Sequence, residues 1–454
     1  MSDPTRTAAT EGPEYLTRDG RGSAGSRAAQ RWIVVADSPF LPASGGGDKE
    51  HAGFVAAAMG EGLLAALVVP ADTDPQRYHR EDDIEAIIRM VQPHPVILTP
   101  RIRGLRAGLQ PARPYVVGTR PPTRSLVGQL RSRAPDATGI VVFSYKSHYL
   151  GARLAHELGL PAVLRMHNAE GRYHRALAAS ATAPRSWAMW VEALRVGVDE
   201  RRLGRASWLR GFADISVTDA RARARHSRVP VRHVPAFALG PAQGSAASAP
   251  RVPAPRPTVV FLGALDVATN VEAVEWFATR VWPAILRDHP EALWQVVGRR
   301  PSERILRAIG AVANAELRRD VPDPGEYLRA AHVAVNPAVS GSGVNIKLLD
   351  YLVSAVPTVS TALGMQGLGV SADDHLLVAD DPLAFAAAVS DLLEDPAQAQ
   401  AMGSRGQAAT RDLLDVGRAL DTLKDMLDTA GSGDPADETA GRAGFPSRAE
   451  AAAS

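Results

Sequence analysis

Between positions 340 and 350 the chain reads Ser-Gly-Ser-Gly-Val-Asn-Ile-Lys-Leu-Leu-Asp. Ser340, Gly341, Ser342 and Gly343 form a loop that runs into an apolar-patterned segment, and the spacing predicts a helix from about Val344 to Ala355. Ile346, Leu349, Tyr351 and Leu352 supply its buried side. A Gly/Ser loop entering a helix offers unpaired amides and the positive end of the helix dipole, which suits an anion. Lys347 adds an ammonium one turn in. Asp350, three residues on and on the same face, can accept hydrogen bonds from a sugar or ribose hydroxyl. Together these groups make a diphosphate site. The same residues also admit a plainer reading: a Gly/Ser turn, a solvated lysine and an i,i+3 ion pair.

A second loop of this kind is Gly45, Gly46 and Gly47, which opens a helix after the first apolar run. Glycines let backbone amides approach a phosphate closely, but the triplet matches neither a dinucleotide fingerprint nor a P-loop, and a tight strand-to-helix turn would look the same. His167, Glu170, Tyr173 and His174 lack metal-ligand spacing and read as a satisfied polar cluster. Glu81, Asp82 and Asp83 read as an acidic helix start that complements the dipole. Residues 184–210 are basic and carry Trp187, Trp190 and Trp208. Such a stretch can touch a membrane surface or a lipid-linked acceptor, but the simpler expectation is a long helix with a packed aromatic face and solvated arginines.

These residues must be positioned by something, and the apolar runs show what. Short runs rich in β-branched residues lie at 32–37, 65–69, 95–99, 115–118, 139–144, 161–165 and 214–218 in the first half. In the second half they lie at 258–263, 293–298, 332–337, 357–361 and 375–379. Helix-length stretches separate most of them, which predicts parallel sheets covered on both faces. The Pro/Ala/Ser/Gly segment 239–257 marks a linker. The expected organisation is therefore a tail at 1–30, an acceptor domain at 31–238, the linker, a donor domain with terminal helices at 258–428, and a tail at 429–454. Open parallel sheets bind ligands beyond the carboxyl ends of their strands, so two such domains place a cleft between those ends.

Composition narrows the function. Lys and Arg total 51 against 49 for Asp and Glu, a net charge of +2, so bulk capture of nucleic acid is not expected. With no cysteine in the chain, disulfides, thiolate metal sites and a Cys nucleophile are excluded. No apolar run reaches the roughly 18–20 residues of a membrane span, and the first thirty residues do not read as a secretory signal. A cytoplasmic location is the expectation. The Ala- and Arg-rich composition suggests a GC-rich bacterial genome.

The second half resembles glycosyltransferase family four, the retaining GT-B enzymes, over 261–286, 293–302, 321–352 and 356–368. In the first half, LPAVLRMHNAEGRYHR at 160–175 looks like the family's R-x-H-N-x-E segment. The resemblance spans roughly 31 to 425 and implies an α/β fold of the GT-B type: two Rossmann-like, doubly wound parallel-sheet domains facing a central cleft. It implies sugar transfer from a nucleoside diphosphate sugar to an acceptor hydroxyl, with retention and without metal or other cofactor. Gly45 to Gly47 would face the donor phosphates, and Gly263 and Gly298 would allow close donor approach. Arg299 and Lys347 would neutralise the departing diphosphate, and the segment Ser340 to Val344 would bind phosphate and sugar through its amides. Asp350 matches the carboxylate that meets the donor. His167 matches a histidine near the sugar and the acceptor hydroxyl.

Three positions depart from the family pattern. Asp350 stands where Glu is usual, Ser342 replaces the first Glu of the E-x7-E pair, and ALDVATN replaces the Arg and Lys-Gly pair after the first carboxy-domain strand. The acceptor implied is a saccharide, a lipid-linked group or a natural product, with weak peripheral membrane contact as a further expectation. Two other readings stay open: a nucleotide-sugar 2-epimerase, and a non-catalytic GT-B-like partner that binds nucleotide.

Overall fold

Trp32 and Val34 point into one apolar cluster, while Ile33 and Val35 point into another. This period-two alternation, apolar on both faces, is what a strand covered on both sides requires. Val259 and Phe261 alternate in the same way with Val260 and Leu262 in the second half. The computed structural model describes residues 29–41, 43, 46–72, 81–101, 113–118, 123–180, 185–237, 251–321, 323–341 and 343–428.

The first sheet has seven parallel strands in the order β3-β2-β1-β4-β5-β6-β7. They are β1 (Trp32–Val35), β2 (Leu64–Asp72), β3 (Val96–Arg101), β4 (Gly139–Phe143), β5 (Ala162–Met166), β6 (Leu209–Asp214) and β7 (Val231–His233). The second has six, in the order β10-β9-β8-β11-β12-β13. These are β8 (Thr258–Ala264), β9 (Leu293–Arg299), β10 (Ala315–Arg319), β11 (Val333–Asn336), β12 (Thr358–Ser360) and β13 (Leu377–Val378). The winding direction reverses between β1 and β4 in one sheet and between β8 and β11 in the other. These switch points are where a crevice opens.

Several sequence expectations need correction. Tyr115–Gly118 is a helical turn rather than a strand; it follows Pro114, whose fixed φ suits a helix entry. The strand expected at 214–218 lies earlier, at Leu209–Asp214. Ser216 instead caps the following helix Val217–Ala224, its hydroxyl accepting from Asp219 N at 3.1 Å. β7 and β10 were not expected, because VRH and AELRR carry too few apolar residues to stand out.

The expected donor domain, 258–428, loses its last helix to the other side. In Val416–Asp428, Ala419, Leu420, Leu423, Met426 and Leu427 join the core around Trp32 and Val163. Two glycines make the room. A Cβ at Gly211 would stand 2.3 Å from the Met426 methyl, and one at Gly139 would stand 3.1 Å from Leu427. The chain thus crosses between the domains twice. The tails and most of the linker lie outside the described residues. Arg251, within the segment expected as linker, donates to Ala355 O at 2.9 Å, so that end of the linker packs on the second domain.

Candidate functional site

Asp37 and Ser38 follow β1, Ser144 and Lys146 follow β4, and His167, Asn168 and Glu170 follow β5. From the other domain, Gly263 lies at the end of β8 and Asn270 follows it, Arg299 ends β9, Asp323 follows β10, and Val344 to Lys347 follow β11. All of them line one cavity of about 730 Å³ between the two sheets. That volume lies in the usual range for small-molecule sites, roughly 300–1,000 Å³.

On the carboxy side, the helix after β11 runs Ile346–Val353 and is shorter than the expected 344–355. Its start is held by Asn345, whose side chain donates to Gly364 O at 3.0 Å. Lys347 points into the cavity wall. Its Nζ donates to Asn270 Oδ1 at 2.6 Å and stands 4.2 Å above the Phe261 ring. Neither partner carries a charge, so desolvation pulls the Lys347 pKa down to about 7. Gly263 and Gly298 are cross-strand partners. A Cβ at Gly298 would fall 1.9 Å from Gly263 O, so this position is glycine for the packing of the two strand ends as well as for access.

Asp350 is buried. Its Oδ2 accepts from Lys49 Nζ at 2.6 Å across the domain boundary, while its Oδ1 is buried with no hydrogen-bond partner. Burial raises the carboxyl pKa, and the Lys49 ammonium and its hydrogen bond oppose that rise.

The Gly/Ser loop does something other than expected. The Ser340 hydroxyl donates to Glu272, and neither Ser340, Gly341 nor Gly343 lines the cavity. Gly343, at φ 83°, packs instead against the amino domain. A Cβ there would stand 2.1 Å from Asn168 Oδ1 and 2.8 Å from His167 O. At Gly343 the loop is a domain contact too tight for any side chain. Val344 does line the cavity. In the glycine triplet, Gly46 abuts Ile346 of the other domain, while Gly47 faces open space. Gly45 and Ser342 lie outside the described residues.

On the amino side, a buried ion pair fixes the Gly46–Gly60 helix. Arg165 Nε donates to Glu50, and the Arg165 guanidinium also donates to Val234 O at 3.2 Å and to Pro235 O at 2.6 Å. Glu50 accepts in addition from Phe237 N. The helix that carries Gly47, Lys49 and His51 is thereby tied to the strand exit that leads to the other domain. His51 Nδ1 donates to Gly47 O at 2.7 Å, and its Nε2 stands 3.5 Å from Asp37 Oδ1. Lys146 Nζ lies 3.5 Å from Asp37 Oδ2. Ser144, at φ 69°, turns the chain so that Lys146 enters the site.

His167 is held neutral. Burial lowers its pKa well below the usual value, and the neighbouring His51 adds to this. Burial raises the Glu170 carboxyl, against the pull of Lys146 and His174.

Of the sequence-derived residues, His167, Arg299, Lys347, Asp350, Gly46, Gly47, Gly263, Gly298 and Val344 meet at this cavity. Lys49, Lys146, Asp37 and Asn270 were missed. Asp37 and Lys146 are single polar residues after a predicted strand, while Lys49 and Asn270 sit beside the glycine triplet and at the end of ALDVATN, where nothing in the sequence names their partners. No group of three His, Asp or Glu among the described residues has the arrangement of a metal site.

Residues 256–395 match the family model described as Glycosyl transferases group 1. A D-inositol 3-phosphate glycosyltransferase of Kineococcus radiotolerans is 30% identical over 197 residues, covering 37% of this chain and 43% of the relative. An uncharacterised 44.6 kDa protein of the cps region of Klebsiella pneumoniae is 27% identical over 135 residues, 28% of this chain and 35% of the relative. The chain thus spans less than half the length of these curated relatives. Among solved structures, sucrose-phosphate synthase of Thermosynechococcus elongatus superimposes with a TM-score of 0.61 at 15% identity, covering 88% of this chain and 98% of the other. Anabaena HepE in complex with UDP and glucose gives 0.58 at 12% identity, covering 88% and 100%. The fold is GT-B, and the segment matching the family model, 256–395, contains the whole second sheet.

Proposed function

We propose that the protein transfers a glycosyl group from a nucleoside diphosphate sugar to an acceptor hydroxyl, with retention of configuration and without a divalent metal. The observation that carries this reading is Lys347: a lysine buried at the end of the β11 loop with only an amide oxygen and a ring face beside it. A buried ammonium without a counter-charge is costly, and a pyrophosphate in the cavity supplies that charge. Arg299 lines the same wall. The similar Anabaena structure that holds UDP and glucose supports a sugar nucleotide as the donor.

In this reading negative charge grows on the departing diphosphate as the glycosidic bond breaks. Lys347, Arg299 and the amides at the start of the Ile346–Val353 helix stabilise it, the work a metal does elsewhere. The unpartnered Asp350 Oδ1 accepts from a donor hydroxyl. Neutral His167 accepts a hydrogen bond from a hydroxyl of the sugar or acceptor. The acceptor, a saccharide, lipid-linked group or natural product, lies against Asp37, Lys146 and Glu170. Closure of the two domains excludes water from the reacting atoms.

A thermal-shift panel of sugar nucleotides, followed by product analysis with candidate acceptors, tests this reading. A donor that stabilises the fold and whose sugar reaches an acceptor with its anomeric configuration kept supports it. Conversion of the donor to a sugar isomer without acceptor would assign an epimerase. Binding without turnover over the whole panel would assign a silent partner, which the Lys49 contact at Asp350 would then explain.

A further inference from the structure

The helix Arg185–Leu203 packs one side on the helix Glu170–Ser180, so closely that a Cβ at Gly171 would touch the Gly197 backbone at 3.0 Å. Its other side carries Trp187, Trp190, Val191, Leu194 and Val198, all exposed; Trp187 is 79% and Leu194 67% accessible. Steps of three, one, three and four residues keep them within an arc of about 100°. The expectation of a packed aromatic face is therefore wrong for this helix. Only Trp208, beyond its end, packs into the core.

Charge is sorted in the same way. Every acidic side chain of the helix is engaged with the protein. Glu192 accepts from Val116 N at 3.2 Å, Asp199 from the Tyr145 hydroxyl at 2.7 Å, and Glu200 from Arg223 at 2.8 Å and from Gly171 N at 2.9 Å. The apolar stripe continues instead into Arg201 and Arg202, three and four residues past Val198, with Arg205 and Arg210 beyond; all four are exposed. Exposed large apolar side chains that run into exposed arginines, with the helix's own acids withdrawn, form a surface complementary to an anionic, apolar-cored partner. No described helix is long and apolar enough to cross a membrane, so contact would be by lying on the surface.

We propose that this face seats the amino domain on an anionic lipid bilayer, with the two tryptophans at headgroup level and the arginines on lipid phosphates. The supporting helix begins at Glu170, a cavity residue, so docking holds the acceptor wall of the cavity beside the membrane. The surface stands whether or not the transfer reaction proposed above is correct.

The test is co-sedimentation of the full chain with vesicles of phosphatidylglycerol and phosphatidylcholine, and with phosphatidylcholine alone. The expected result is partition onto the anionic vesicles that weakens with salt, and on the order of tenfold or greater loss in the double variant Trp187→Glu/Leu194→Glu. Arg201→Ala/Arg202→Ala should remove most of the salt sensitivity. Both variants should keep the wild-type thermal midpoint and sugar-nucleotide shift, since none of these residues lines the cavity. Wild-type partition by the Glu double variant would overturn the proposal, as would no partition onto anionic vesicles. So would light scattering that shows a dimer dissociated by Trp187→Glu/Leu194→Glu, which would assign the face to a second copy. Retention on polyglutamate without vesicle binding would assign it to an acidic protein and overturn it equally.

Discussion

On the carboxy side of the cavity, cationic groups face the space with neutral partners or none among the described ion pairs: Lys347 has Asn270 and Phe261, and Arg299 ends a strand at the rim. On the amino side, charges are largely spent within the domain. Glu50 and Arg165 satisfy each other and the chain exit, Arg223 binds Asp214 and Glu200, and Lys146 and His51 both lie near Asp37. The carboxy wall is shaped to gain from an anion. The amino wall is a pre-set frame that holds neutral or hydrogen-bonding groups, such as His167, in place. In the proposed reaction the donor charge settles on the carboxy side and the acceptor hydroxyl on the amino side.

Substitutions that unlock one wall without touching the other break or sharpen this contrast. The largest effect is expected from Arg165→Met, which strands the buried Glu50 carboxylate. Removing one partner of such a pair costs about 3–5 kcal/mol, read as a lowered midpoint in equilibrium urea unfolding. A loss under about 1 kcal/mol, the scale of an exposed pair, would mean the amino wall is not locked.

Lys347→Met should act in the opposite way. Turnover should fall by about 10²–10³, or ~2.7–4 kcal/mol of transition-state stabilisation. The nucleotide-free protein should be at least as stable as wild type, because a desolvated ammonium is gone. A marked drop in its thermal midpoint would make Lys347 a structural residue.

Smaller again is Lys49→Ala, which leaves Asp350 buried without a cation, at about 1–3 kcal/mol. Asp350 already has a raised pKa from burial, held back by Lys49, and the variant raises it further. The charged carboxylate is then the unfavourable form, so the cost should be greatest at neutral and higher pH. It should fade as the carboxyl protonates on acidification. Stability curves at several pH values check the sign, and a cost that grows on acidification would contradict it.

The alternation of WIVVA and TVVFLG made both sheets legible, because a strand buried on two faces has no polar residue to blur it. The stretch 344–350 was legible as a cavity wall because Lys347 and Asp350, three residues apart, share one face of a helix that enters from a Gly/Ser loop. Yet the same signal misled at Ser340 and Gly343. A glycine needed for close domain contact and one needed for phosphate approach look identical in sequence, and only the Asn168 contact separates them. The returning helix Val416–Asp428 could not be placed, since its amphipathic pattern says that it packs and not where. Lys49 stayed hidden because its partner is 301 residues away. The exposed stripe on Arg185–Leu203 was visible as an apolar pattern, but pattern alone favoured burial.

The central claim, that Lys347 takes its missing counter-charge from a pyrophosphate, is tested most directly by calorimetry of sugar-nucleotide binding from pH 6 to about 9. Lys347 has a pKa of about 7 in the free protein. It is already charged below that pH and must gain a proton on binding above it, since a nearby anion favours the ammonium. Affinity should be steady below about pH 7 and decline above it, with proton uptake seen as a dependence of the heat on buffer ionisation, and both effects should vanish in Lys347→Met. Equal affinity and the same pH profile in wild type and variant would contradict the account.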